Sequence, residues 1–165
     1  MRSRNWPRGF VPACAISLLA AALASAQPAP KTPAVAVLDA GDVPRWEAWT
    51  KQFGWQVIAP TVPAGANIDV RVQAVEAAVA QAIAKSGADP ARIYLVALGD
   101  EGAAVFYAIS RVPDLWAAGL ALGGSLQQAL DSNRIYAVDF TLTPVLWAAG
   151  GPDDQALAAK VRSAG

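Results

Sequence analysis

Short apolar runs alternate with stretches of helical period along most of this chain, and that alternation predicts its elements. Residues 34–38 (Ala-Val-Ala-Val-Leu) read as a buried strand, and residues 44–53 as a short helix with Pro44 in its first turn. A second strand is expected over 55–59, then a polar, proline-broken loop over 60–67. Val72, Val75, Val79 and Ile83 share one face of a long helix over 70–85, with Asp69 as its expected cap and Gly87 as its stop. Further strands follow at 93–98, 119–122 and 145–149, and further helices at 102–111, 126–130 and 154–163. Continuous apolar strands separated by helices predict an α/β fold, a doubly wound, mostly parallel sheet of about five strands in three layers. Right-handed crossovers are expected between them.

The ends read differently. Arg2, Arg4 and Arg8 precede an apolar run over 10–23, and Ala24-Ser25-Ala26 is a small-residue cleavage site before Gln27. This is the pattern of a Sec-type signal peptide (1–26), too short for a comfortable membrane span, and it predicts export to the periplasm or beyond. Residues 27–33 are rich in proline and alanine and read as a flexible tether, which leaves 34–165 as one domain. Cleavage removes three of the 13 basic residues, leaving 10 against 13 acidic ones, a net charge of −3. No basic stripe is left for nucleic acid. Cys14, the only cysteine, also goes, so the exported chain has no disulfide, thiol nucleophile or thiolate metal site.

Candidate chemistry concentrates after the third strand. Ile93-Tyr94-Leu95-Val96-Ala97-Leu98 leads into Gly99-Asp100-Glu101-Gly102 and then a helix. That strand–turn–helix has the layout of the G-x-S-x-G elbow, which holds a nucleophilic serine above the sheet. Read without gaps, Ala97-Leu98-Gly99-Asp100-Glu101 fills the pentapeptide and Gly99 takes the serine position, leaving it vacant. The chain has no histidine to act as base.

On these residues the chain resembles secreted α/β-hydrolases, near the carboxylesterase and polyhydroxybutyrate-depolymerase-like group. The resemblance extends over Asp89-Pro90-Ala91-Arg92-Ile93 and Val112-Pro113-Asp114-Leu115-Trp116, fourteen residues separating Gly99 from Pro113. It also covers Thr143-Pro144-Val145-Leu146-Trp147 and the Gly150-Gly151-Pro152-Asp153 that follows. The resemblance implies that Asp153 stands at the position of the triad acid, and that Asp39, after the first strand, stands in the oxyanion loop. A carboxylate at Asp39 opposes a developing oxyanion if it faces the site, and Asp153 has no histidine to orient. A helix N-cap is the structural alternative for Asp153. The ending resembles the family's last helix, so the expectation is a chain that stops before a final strand and histidine.

The expected function is therefore a degenerate, esterase-like hydrolase fold that is non-catalytic as written, a pseudoenzyme with a small-molecule or ester ligand and no cofactor. Two alternatives stay open. Asp100 would be the nucleophile if the elbow slipped by one residue, with a base from outside the chain. Alternatively Asp39, Asp42, Asp100, Glu101, Asp153 and Asp154 gather at the carboxyl edge of the sheet and bind a divalent cation or small ligand. Gly99-Asp100-Glu101-Gly102 lacks the first glycine of a dinucleotide loop. Ser125 reads as a helix cap, and the tryptophans as core rather than pocket. An open edge at 145–149 predicts self-association.

Overall fold

The computed structural model describes residues 30–131, 135, 137–148 and 152–164; the signal-peptide reading, most of the tether and Ala149 lie outside them. Lys31–Gly165 forms one compact unit. Its five strands are β1 (Thr32–Val37), β2 (Gln56–Ile58), β3 (Ala88–Leu98), β4 (Ala118–Leu122) and β5 (Val145–Ala148). They form one sheet in the order β2-β1-β3-β4-β5, and every pair is parallel. The helices are α1 (Val43–Thr50), α2 (Ile68–Lys85), α3 (Gly102–Arg111), α4 (Leu126–Asp131) and α5 (Pro152–Ala164).

The side-chain period of two sorts each strand between two cores. Ala34, Ala36, Ile93, Leu95, Ala97 and Ala121 face a large core filled by Val72, Val75 and Val79 of α2 and by α3, with Leu126, Leu157 and Val161 completing it. Val35, Val37 and Val96 face a smaller one under Val43 and Trp46 of α1, with Trp55 and Val57 beside them. Thus α1 covers one face and α2 to α5 the other. The strand order steps one way from β1 to β2 and the other way from β3 onward, so helices of one hand fall on opposite faces. This is the expected three-layer α/β fold. Its order is common to doubly wound sheets of unrelated function, so function has to be read from the site.

Several element starts differ from expectation, and β3 begins at Ala88 rather than Ile93. β1 starts at Thr32, two residues inside the segment read as tether, because the Thr32 N–H donates to Gly87 O at 2.9 Å and Thr32 pairs with Ala88. The ladder is irregular between Thr32 and Ala34, where Pro33 has no N–H to give. Asn67, not Asp69, caps α2: its side chain accepts from the Val70 N–H at 3.0 Å. Asp69 lies in the first turn of α2 and accepts from the Tyr107 hydroxyl on α3, with Arg111 at 3.5 Å.

Beside that cluster, Glu76 Oε1 is buried without a hydrogen-bond partner. Burial raises its pKa above the usual 4.5, partly offset by the Arg111 charge. A raised native pKa means that the folded state binds more protons than the unfolded state, so this group subtracts stability as pH climbs through and above the ordinary carboxylate range. Glu76→Gln should therefore raise the urea midpoint at neutral pH and leave it unchanged in acid, where both side chains are neutral.

Candidate functional site

β3 delivers the chain to the carboxyl edge of the sheet beside β1, where the strand order reverses and α/β sheets open a crevice. Leu98 ends the strand extended, at φ −120° and ψ 148°. Gly99 then turns left-handed, at φ +59°, and Gly99–Glu101 make one 3₁₀ turn into α3. A Cβ added at Gly99 would meet nothing within 4 Å. A side chain at this position would project into open space from a strained turn, the stance of the serine in a nucleophile elbow. Asp100 is the next residue, exposed on the same turn, and Glu101 is half-buried behind it.

The turn is held from below by close backbone contact. Gly102 starts α3 so near the end of β4 that a Cβ on it would lie 2.3 Å from Gly123 O. A Cβ on Gly124 would lie 2.7 Å from Gly99 O. Glycine at these places lets two strand ends and a helix start share one small volume. Ser125 follows and caps α4, its Oγ accepting from the Gln127 N–H at 3.2 Å, as its sequence position suggests.

On the β1 side, Asp39 Oδ1 accepts from the Gly41 N–H at 2.8 Å. The carboxylate is thus turned onto its own loop, where it occupies an N–H that an oxyanion loop would need free. Asp42 lies at the end of the same short turn. Behind it opens a cavity of about 190 Å³ between Leu38, Asp39, Ala40, the loop at 60–65 and Arg71. Arg71 donates through Nε to Ala66 O at 3.0 Å and through a second nitrogen to Glu101. This pair ties the start of α2 to the turn after β3, so the cavity and that turn share a wall. The residues are 30 apart in sequence, and no local pattern marks them as partners.

Asp153 and Asp154 lie inside the first turn of α5, which starts at Pro152, so Asp153 is a first-turn acid rather than the N-cap. Negative charge there suits the helix dipole, and Asp153 is exposed. Among the described residues, no group of three or more acidic, histidine or cysteine side chains is close enough to hold a metal ion. The acidic residues that follow the strands therefore point to separate local tasks: a turn cap at Asp39, an ion pair at Glu101 and helix starts at Asp153 and Asp154.

The tryptophans divide. Trp46, Trp49 and Trp55 form an edge-on aromatic cluster beside α1, with Trp55 stacked on Tyr94 at 5.3 Å. Trp116 is buried in the main core. Trp147 packs on Phe106 at 5.6 Å and lines a second, larger groove of about 440 Å³ with Phe140, Val145 and Val161. None of the loop residues 38–41, 99–101 or 123–124 lines that groove.

No family model matches this chain, and no curated protein matches it significantly. Among the described residues, no helix is long and apolar enough to cross a membrane.

Proposed function

We propose that this chain is an exported, α/β-hydrolase-like protein that keeps the elbow of a serine esterase without its nucleophile, and that it works as a non-catalytic ligand-binding module. The observation that carries this reading is Gly99: left-handed at φ +59°, at the strand-to-helix turn, with open space above its α-carbon. Two further features support it. Asp39 caps the Gly41 N–H on the loop that would supply an oxyanion donor, and the chain contains no histidine. A fold with neither nucleophile nor base has lost the terms that drive acyl transfer. The crevice and the adjoining cavity with Arg71 are what remains for a small ester-like or carboxylate-bearing ligand. Export rests on the sequence of residues 1–26.

The left-handed φ of Gly99 favours the ungapped register over the one that makes Asp100 a nucleophile. The chain from Gln27 onward, given short- and medium-chain p-nitrophenyl esters, should release nitrophenol no faster than buffer. Turnover that vanishes in Asp100→Asn would replace this reading with an aspartate-dependent hydrolase.

A further inference from the structure

We infer that the cavity between Asp39 and Arg71 takes a small zwitterion, an ammonium and a carboxylate on a short apolar frame, as in a free amino acid. The inference deepens the binding role proposed above and rests on it.

Two opposite charges line one space. The cavity of about 190 Å³ has Asp39 on its wall just after β1 and Arg71 on its wall from α2. Each side chain is aimed by backbone, and each keeps one polar atom in reserve. Asp39 Oδ1 accepts from the Gly41 N–H at 2.8 Å, while Oδ2 makes no hydrogen bond among the described residues. Arg71 donates from Nε to Ala66 O at 3.0 Å and from Nη1 to Glu101. Its Nη2, with two N–H groups, makes no hydrogen bond among the described residues. A guanidinium already held on two sides loses little freedom when a further acceptor arrives, and its planar fork suits a carboxylate. The exposed Asp39 carboxylate offers its second oxygen to an ammonium.

The other walls fit the frame between the charges. Leu38 is buried just after β1, and Pro60, Val62 and Pro63 face it from the loop before α2. The two prolines restrict that loop's backbone, so the space is largely formed before a ligand enters. At about 30 Å³ per water, 190 Å³ holds roughly six waters. That is room for one small aliphatic molecule and not for a peptide of several residues.

Charge then selects among small ligands. Arg71 stands against two carboxylates, its partner Glu101 and the cavity's own Asp39. A bare anion that reaches Arg71 is opposed by Asp39, because like charges brought together are unfavourable. A bare amine satisfies Asp39 and leaves Arg71 Nη2 without an acceptor from the ligand. Only a molecule carrying both charges uses both reserve atoms.

The test is calorimetric titration at neutral pH of the chain beginning at Gln27, which keeps the compact unit from Lys31 onward whole. Three probes share one branched frame: free leucine, isocaproate without the ammonium, and isoamylamine without the carboxylate. Leucine should bind at least tenfold more tightly than either. Asp39→Asn keeps an oxygen for the Gly41 N–H and removes the charge. It should weaken leucine at least tenfold, leave isocaproate no weaker than before, and preserve the circular dichroism spectrum. Asp114→Asn, in the short turn after α3, should bind leucine as the native chain does. The inference fails if leucine does not bind at millimolar concentration, or if isocaproate or isoamylamine binds as tightly. It also fails if Asp39→Asn leaves the leucine affinity intact. Binding of isocaproate without preference for leucine overturns the zwitterion and keeps the non-catalytic module, whereas turnover of nitrophenyl esters by the same protein overturns the module itself.

Discussion

Gly102→Ala should be among the most damaging single-methyl changes in this protein. The added Cβ would lie 2.3 Å from Gly123 O, a backbone atom, and 3.5 Å from the Ala121 side chain. A rotamer change relieves a clash with a flexible side chain, but here either α3 or the end of β4 has to move. Overpacking of a close-packed interior costs roughly 1–3 kcal/mol and sometimes more, and a contact with backbone belongs at or above the top of that range. The intrinsic helix preference of alanine over glycine, up to about 1 kcal/mol, offsets only part of it. Urea unfolding should show the loss as a lower midpoint with little change in slope. A variant as stable as the native chain would mean that α3 does not begin against β4 as described.

Leu95→Ala should destabilise by a similar or larger amount through the opposite error. Leu95 is fully buried in the middle of β3, a strand paired on one side with β1 and on the other with β4. Its side chain faces the main core beneath α2 and α3. Truncation leaves a cavity that two strand neighbours and two helices cannot collapse into. Such sites fall in the range of about 2–5 kcal/mol. The turn at Gly99 is carried on the end of this strand, so its position also depends on the packing of Leu95. A loss under about 1 kcal/mol would place β3 at an edge rather than the centre.

The fold was legible in the sequence because its signals are local and redundant. The valine stripe of α2, the apolar run ending at Leu98 and the glycine after it each say one thing, and each stands where expected. The left-handed turn at Gly99 was legible for the same reason: a strand, a glycine and a helix in immediate succession define it. What was hidden depends on contacts across the fold. Thr32 joins β1 because Gly87 and Ala88, more than 50 residues later, supply its partners. Asn67 takes the cap from Asp69 because the helix starts at Ile68, two residues earlier than expected, and Asp69 is drawn to Tyr107 instead. The Arg71–Glu101 pair links two helix starts that no spacing connects. Asp39 is a candidate in sequence and a turn cap in structure, since a short aspartate finds the Gly41 N–H two residues on.

On the proposed reading, the nucleophile's place at Gly99 is present, open and empty. Thiol labelling of Gly99→Cys in the chain beginning at Gln27 measures this most directly, since that chain carries no other cysteine. A non-glycine residue at this left-handed φ costs about 1–2 kcal/mol, so the variant should fold with a modestly lower melting temperature. Its one thiol should then react fully with Ellman's reagent in the native state, at the rate of an exposed cysteine. A thiol that stays protected until denaturant is added would contradict the account, because the space above Gly99 would then be closed and no vacated elbow would exist.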